Sequence, residues 1–121
     1  MNDPTIQALG YFSDEPLPLL YGGAEVFVFP SLAEGFGLPV LEAMACGTPV
    51  ICSDTTALPE IAGGAACLVP ALEVEAWTEM IDSALFDSAL RERTSTAGLR
   101  RAAEFSWKRT ADIVRKVLAT V

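Results

Sequence analysis

The chain has 121 residues, 51% hydrophobic and 20% charged, which is enough for one domain with a buried core and too short for two ordinary domains. Residues 1–90 contain thirteen Asp or Glu and no Lys or Arg, which argues against nucleic acid as a partner because phosphate contacts need basic side chains. A metal site is not expected, because the chain has no histidine and its three cysteines form no CxxC pair. The cysteines are interpreted as reduced packing residues of a cytoplasmic protein.

The charge is distributed unevenly along the chain. Residues 91–121 hold eight basic and three acidic residues, and their net charge of +5 against −13 for residues 1–90 yields the overall −8. These basic residues are predicted to form a solvated helix face. No apolar run approaches the roughly 18 residues of a membrane span. The N-terminal sequence MNDPTIQ lacks the basic and then apolar layout of a signal peptide.

The first half of the chain predicts two strands separated by a short helix. Residues 6–12 (IQALGYF) are predicted to form a short strand. Pro16 and Pro18 would interrupt the first turns of the helix, so its regular part is expected at 17–22. The apolar run VFVF at 26–29 is typical of a strand buried on both faces.

The second half continues this alternation and then becomes helical. Pro39 near its start and Gly47 after its end delimit a predicted helix at 39–45. The other predicted elements are strands at 49–53 and 66–69 and helices at 73–86, 88–103 and 106–119, the last with Ser106 as its N-cap. Alternating strands and helices predict an α/β fold. We therefore expect a partial Rossmann-like parallel sheet of about four strands, with flanking helices and a helical C-terminus.

The segment EGFGLPVLE, residues 34–42, joins the VFVF strand to the next helix. Parallel sheets bind ligands outside the carboxyl ends of their strands. Gly35 and Gly37 permit close approach of the backbone, and free N–H groups at a helix start suit phosphate or sugar hydroxyls. Glu34 and Glu42 repel phosphate but accept hydrogen bonds from vicinal hydroxyls. This combination favours a nucleotide-sugar as ligand.

Two other interpretations of this segment remain open on spacing alone. Glycines and a proline are common at strand–helix junctions, and a glutamate in a first helical turn simply favours the helix dipole. Alternatively, Gly35-x-Gly37 followed nineteen residues later by Asp54 partly matches a dinucleotide-binding fingerprint. Val40 stands where that fingerprint has its third glycine, and five residues separate Phe29 from Gly35, which is too long for its tight turn.

The run AEVFVFPSLAEGFGLPVLEAMACGTPVICSDTTALPEIAG, residues 24–63, resembles the donor-site signature of group 1 glycosyltransferases, a large retaining family with the GT-B fold. Glu34 and Glu42 match the E-x(7)-E motif of that family. The preceding GYFSDEPLPLLYGGAE and the following RERTSTAGLRRAAEFSWKRTADIV are also similar to the family pattern. Leu68-Val69-Pro70 departs from it, since family members often have an Asp before that proline.

The resemblance implies a role for each matching position. Glu34 would be the catalytic carboxylate that contacts the transferred sugar and organises the reacting face, and Glu42 would bind the ribose. The donor sugar and phosphates would contact the loop and helix start at Gly35, Phe36, Gly37 and Leu38. The base would lie near Gly10, Tyr11 and Phe12. The donor is a nucleotide diphosphate sugar, used as substrate, and no cofactor or metal is implied.

Relative to a complete GT-B enzyme, residues 1–121 resemble only part of the C-terminal, nucleotide-sugar-binding domain. The N-terminal acceptor domain and the first two βα units of the donor domain have no counterpart. We therefore expect either a fragment or the product of a split gene that needs the N-terminal domain or a partner chain. The full enzyme is expected in the cytoplasm, either free or peripheral to the inner face of the membrane. The alternative is a catalytically inactive binding or interaction module.

Strand order adds an expectation about assembly. In the doubly wound strand order of the family's donor domain, two strands without a counterpart in this chain separate residues 6–12 from 26–29. Their absence leaves the VFVF strand with a free edge. Either residues 6–12 move beside this strand, or a second copy of the chain covers it. The last helix would also expose Trp107 and an apolar stripe, so self-association as a homo-oligomer, or aggregation, is expected.

Overall fold

A three-stranded parallel sheet in the order β1-β2-β3 forms the centre of the computed structural model, which describes residues 3–121. The strands are β1 (Phe27–Phe29), β2 (Val50–Ser53) and β3 (Cys67–Val69). Val28 lies opposite Ile51 in the β1–β2 pair, and Cys52 lies opposite Leu68 in the β2–β3 pair. Since β2 has a neighbour on each side, all of its residues are buried. The first two residues of the predicted domain lie outside the described part.

Six helices surround this sheet within residues 3–121. They are α1 (Leu17–Gly23), α2 (Leu38–Ala45), α3 (Leu58–Ala62), α4 (Val74–Phe86), α5 (Ser88–Ala103) and α6 (Trp107–Ala119). The predicted parallel α/β sheet with flanking helices and a helical C-terminus is therefore confirmed. The bounds of the predicted helices agree with the observed ones to within one residue.

The two faces of the sheet are covered by different helices. Because side chains alternate along a strand, Cys52 faces one cluster and Ile51 faces the other. The first cluster contains buried residues of α2 and α3, including Val40, Met44 and Leu58. The second contains Trp77 of α4, whose indole N–H donates to the carbonyl of Pro70 at 3.1 Å. The sheet is thus a central layer between two groups of helices.

Helix α2 carries Glu42, the second glutamate of the E-x(7)-E motif, and local sequence signals mark both of its ends. Gly37 is the N-cap with φ 97°, Pro39 lies in the first turn, and Gly47 follows the helix with φ 75°. Both glycines adopt the left-handed region that other residues avoid. Val40, Leu41, Ala43 and Met44 are buried, so α2 is fixed tightly against the sheet.

Residues 6–12 do not form the predicted strand, and the described sheet therefore has three strands instead of about four. A strand needs a neighbouring strand to satisfy its backbone groups, and residues 6–12 pair with none. They have not moved beside β1, which remains an edge of the sheet. The sequence interpretation also missed α3, a helix of five residues.

The predicted solvated face of basic residues is wrong for two arginines. Arg101 donates from Nε to the carbonyl of Ile61 at 2.9 Å and from Nη2 to that of Glu60 at 2.7 Å, so it caps the end of α3. Arg91 donates to the carbonyl of Ala84 at 2.8 Å near the end of α4. Carbonyl groups at helix ends lack intrahelical partners, and these guanidinium groups supply them.

Candidate functional site

Glu34 lies in the loop that leaves the carboxyl end of β1, and two hydrogen bonds hold it there. The Ser31 hydroxyl donates to Glu34 Oε1 at 2.8 Å, and the Glu34 backbone N–H donates to Oγ1 of Thr56 at 2.9 Å. The residue is half-buried. Since no described residue donates to Oε2, this carboxylate oxygen is available to a ligand.

The partner of that backbone, Thr56, lies in the loop after β2 and has an unusual conformation. Its φ of 52° is in the left-handed region, which is disfavoured for a β-branched residue. The neighbouring Thr55 hydroxyl donates to the Ser31 carbonyl at 3.3 Å. The loops that follow β1 and β2 are therefore joined side by side at the carboxyl end of the sheet.

The backbone between Glu34 and the first turn of α2 presents a row of donors. Within residues 3–121, the N–H groups of residues 35–38 donate to no protein acceptor. The positive end of the helix dipole lies at the same place. Gly37 allows the chain to turn here, since a Cβ at this position would lie 2.7 Å from Leu58 Cδ2. The geometry suits a ligand with hydrogen-bond acceptors.

Gly35 differs from Gly37 in what it requires. Its φ is outside the left-handed region, and a Cβ built at this position has no atom within 4 Å. The protein fold therefore requires a glycine at Gly37 and does not require one at Gly35. At Gly35 the absence of a side chain leaves open space next to the free N–H groups.

Glu42 lies on the exposed side of α2, one turn into the helix. Its Oε2 accepts a hydrogen bond at 2.9 Å from the hydroxyl of Tyr21, a residue of α1. Burial, followed by this hydrogen bond and the charge of Glu42, raises the pKa of Tyr21 to about 12, so the phenol stays protonated and remains a donor at neutral pH. Sequence reasoning missed both Tyr21 and Thr56, because nothing in the local sequence marks either residue.

An apolar groove of about 560 Å³ adjoins the loop between the two glutamates. Its lining includes the apolar side chains of Phe36, Leu41, Phe105 and Trp107, together with Glu42. Phe36 packs edge to face on Phe105 with 6.0 Å between ring centroids. The connection between α5 and α6 thus supports the loop, a contact that the sequence interpretation did not predict.

The predicted base-proximal residues lie in an irregular segment before α1. Gly10 has φ 69°, Tyr11 is 97% exposed and Phe12 is half-buried. In the described part of the chain, no hydrogen bond connects these three residues to either glutamate of the motif. Their role at the base stays a prediction.

Asp54, the acidic residue of the dinucleotide alternative, lies exposed just after β2, and its backbone N–H donates to the Val69 carbonyl at 3.0 Å.

No group of three or more Cys, Asp or Glu side chains within residues 3–121 is arranged to hold a metal ion. The cysteines have free thiols, and burial raises the pKa of Cys52 to about 11. None of the helices in the same range is long and apolar enough to cross a membrane.

A parallel sheet covered on both faces, with polar loops gathered beyond the carboxyl ends of β1 and β2, defines the class of Rossmann-like α/β domains. Comparison with known families matches the chain to one family within that class. The family described as "Glycosyl transferases group 1" matches residues 2–101. The chain belongs to the group 1 glycosyltransferases, and it corresponds to a portion of the C-terminal domain of their GT-B fold.

Two related mannosyltransferases agree with this assignment. The chain is 48% identical over 103 residues to O-antigen chain mannosyltransferase B of Escherichia coli, covering 85% of this chain and 27% of that protein. It is 41% identical over 117 residues to the MMP alpha-(1->4)-mannosyltransferase of Mycolicibacterium hassiacum, covering 90% of this chain and 28% of that protein.

A solved structure shows the same fold. Sucrose-phosphate synthase from Thermosynechococcus elongatus superposes with a TM-score of 0.82 at 32% identity, covering 93% of this chain and 30% of that structure. The chain therefore spans less than a third of the length of these relatives.

Proposed function

We propose that this chain binds a nucleotide diphosphate sugar and forms the donor-binding part of a retaining glycosyltransferase. The observation that carries the proposal is the row of unpaired N–H groups at residues 35–38, flanked by the carboxylates of Glu34 and Glu42. Backbone donors at a helix start favour phosphate and hydroxyl oxygens. Carboxylates on either side favour hydroxyl groups, which a nucleotide-sugar carries on both its sugar and its ribose.

The proposed roles follow from position. Glu34, held by Ser31 and by the Thr56 contact, would accept hydrogen bonds from the transferred sugar through its free oxygen and organise the reacting face. The N–H groups of residues 35–38 would contact sugar hydroxyls and the distal phosphate. Glu42, one turn further along, would accept hydrogen bonds from the ribose. The base-proximal role of Gly10, Tyr11 and Phe12 is part of the same proposal.

The charge of the chain limits what it can do without a partner. Residues 1–90 include no Lys or Arg, so no cation in this range neutralises the diphosphate leaving group. Stabilisation of a developing anion typically supplies roughly 3–4 kcal/mol for each preorganised donor. We therefore expect the 121 residues alone to bind donor weakly, at roughly millimolar Kd, and to transfer no sugar. The cations would come from the first two βα units of the donor domain, and the acceptor surface from an N-terminal domain or partner chain, in the cytoplasm or at the inner face of the membrane.

Two of the named relatives are mannosyltransferases, so a mannosyl donor is the first to test. The experiment is an NMR titration of the 121-residue chain with GDP-mannose, UDP-glucose and NAD⁺. We expect saturable shifts with a nucleotide-sugar and none with NAD⁺. Glu42→Ala should weaken binding, whereas Glu79→Ala, which removes an exposed helical glutamate on α4, should not.

Equal binding by Glu42→Ala and the parent chain would refute the ribose assignment. Binding of NAD⁺ as strong as that of either sugar donor would instead favour the dinucleotide alternative. Transfer assays with the longest natural form of the protein distinguish the enzyme from an inactive binding module. Donor binding without any transfer or donor hydrolysis in that form would favour the module.

A further inference from the structure

Tyr21 is the point at which α1 is attached to the rest of the domain. Helix α1 has no fully buried residue, and Tyr21 is its half-buried contact with β1. The Tyr21 ring packs edge to face on Phe27, with 5.2 Å between centroids and 86° between ring planes. Its backbone carbonyl accepts a hydrogen bond from the buried Thr48 hydroxyl at 2.6 Å. Ring and backbone are thus both fixed, and the hydroxyl is held in one place.

That hydroxyl has Glu42 Oε2 as its acceptor, at 2.9 Å. A glutamate on an exposed helix face would otherwise sample several rotamers, and ordering it on binding would cost conformational entropy. An ionised carboxylate has about four acceptor positions, so one bond from Tyr21 leaves Oε1 and part of Oε2 open to a ligand. The fixed Tyr21 phenol therefore holds the Glu42 carboxylate in one orientation and leaves most of its acceptor positions free for a ligand.

We propose that Tyr21 is a positioning residue that orders the Glu42 carboxylate for the ribose hydroxyls of the donor. This inference rests on the proposed function of Glu42. Tyr21 does not itself touch the donor. Its contribution is to remove, before binding, the rotamer freedom that Glu42 would otherwise lose, which is the general advantage of preorganisation.

A test must separate this role from a general structural role of α1. Tyr21→Phe removes only the hydroxyl and keeps the ring on Phe27. The probes are GDP and UDP, each compared with its 2′,3′-dideoxy form, which lacks both ribose hydroxyls. NMR titration of the whole chain measures each Kd, and the quantity of interest is the ratio of the dideoxy Kd to the ribonucleotide Kd.

For the wild-type chain we expect a ratio of about ten for the nucleotide that binds, as for one to two hydrogen bonds. Tyr21→Phe should lower the ratio to about two or three while leaving the Kd of the dideoxy form unchanged. Glu42→Ala should bring the ratio close to one. The double variant should match Glu42→Ala, because Tyr21 acts only through Glu42. Glu79→Ala is the control that should keep the wild-type ratio.

The possible failures are distinguishable. If the wild type binds neither nucleotide, or binds both forms equally, the proposed ribose site is wrong and the inference fails with it. If Glu42→Ala abolishes the preference and Tyr21→Phe keeps it, the ribose site stands and only the inference about Tyr21 is overturned. If Tyr21→Phe weakens both forms equally, Tyr21 is merely structural. If Tyr21→Phe unfolds the chain, Thr48→Val is the second variant, because it removes the hydrogen bond to the Tyr21 carbonyl. Thr48→Val should lower the same ratio of the two Kd values. An unchanged ratio in Thr48→Val would refute the proposal.

Discussion

The backbone N–H of Glu34 donates a hydrogen bond to the Thr56 hydroxyl at 2.9 Å, across 22 residues of sequence. This bond joins the loop after β1 to the loop after β2. Thr56 makes it while its φ is 52°, a region that costs a non-glycine residue about 1–2 kcal/mol. The position therefore combines an unfavourable backbone conformation with a contact that holds Glu34.

Replacing Thr56 should separate these two effects. Thr56→Gly relieves the backbone strain and loses one exposed hydrogen bond of about 1 kcal/mol, so the free energy of unfolding should change by less than about 1 kcal/mol. Donor affinity should nevertheless fall several-fold, because the backbone at Glu34 loses its tether. Urea unfolding and nucleotide-sugar titration measure the two quantities. Thr56→Ser keeps the hydroxyl and should retain affinity, and equal affinity of the glycine and serine variants would count against a role for this bond.

The two glycines of the loop should respond differently to alanine. Gly37→Ala places a Cβ 2.7 Å from Leu58 Cδ2 at a φ of 97°, and we expect it to destabilise the chain by about 2–4 kcal/mol. Gly35→Ala meets open space and should change the free energy of unfolding by less than about 0.5 kcal/mol. Its methyl group should still weaken donor binding. Thermal and urea unfolding of both variants provide the comparison, and similar stabilities would contradict the observed packing.

Arg101 should matter for stability far more than its neighbour Arg100. Arg101 donates to the carbonyls at the end of α3 and lies 4.8 Å above the ring of Phe105. Arg101→Ala should therefore cost about 1–3 kcal/mol. Arg100→Ala removes the same charge from the same last helical turn, but this side chain is exposed and should cost less than about 1 kcal/mol. Urea unfolding at low and high salt measures both, and equal losses would refute the capping role of Arg101.

The raised pKa of Tyr21 predicts that the chain loses stability in alkali. Its pKa of about 12 in the folded chain exceeds the ordinary value of 10.0, so the folded state binds this proton more tightly than the unfolded state does. The corresponding stabilisation is fully present below pH 10 and is lost as the pH rises from about 10 to 12. Tyr21→Phe lacks this term. The difference in free energy of unfolding between wild type and variant should shrink over that pH range.

Phenol absorbance gives an independent check of the same group. The difference between the wild-type and Tyr21→Phe titration curves isolates Tyr21 and should have its midpoint near pH 12. A midpoint at the ordinary value of 10.0 would show that the Tyr21 phenol is neither buried nor bonded to Glu42 in solution.

The exposed apolar side of α6 predicts self-association of the chain. Trp107 is 79% exposed and Leu118 67% exposed, and β1 is an unpaired edge of the described sheet. Sedimentation velocity should show species larger than a monomer as concentration rises. The double variant Val114→Lys/Leu118→Lys should shift the distribution toward monomer, whereas Leu72→Lys, at an exposed turn position, should not. A monomeric wild type at high concentration would contradict this expectation.

Elements with strong local signals could be predicted from the sequence. Pro39 and Gly47 delimited α2, Ser106 marked the start of α6, and the Ser106 hydroxyl indeed accepts from the Arg109 backbone N–H at 3.1 Å. The continuous apolar run at 26–29 marked β1, although its residues are half-buried instead of buried because β1 is an edge of the described sheet. The motif from Glu34 to Glu42 was likewise recognisable, since its spacing, glycines and carboxylates are contiguous in the chain.

The remaining features depended on residues distant in sequence. Whether residues 6–12 form a strand depends on a neighbouring edge, which their own composition does not describe. Helix α3 is completed by Arg101, 40 residues after Ile61. Tyr21 reaches Glu42 across 21 residues only because α1 lies against α2. Backbone propensity and capping act over a few residues and can be read locally, whereas strand pairing and side-chain partners are selected by packing around the sheet, which only the tertiary structure decides.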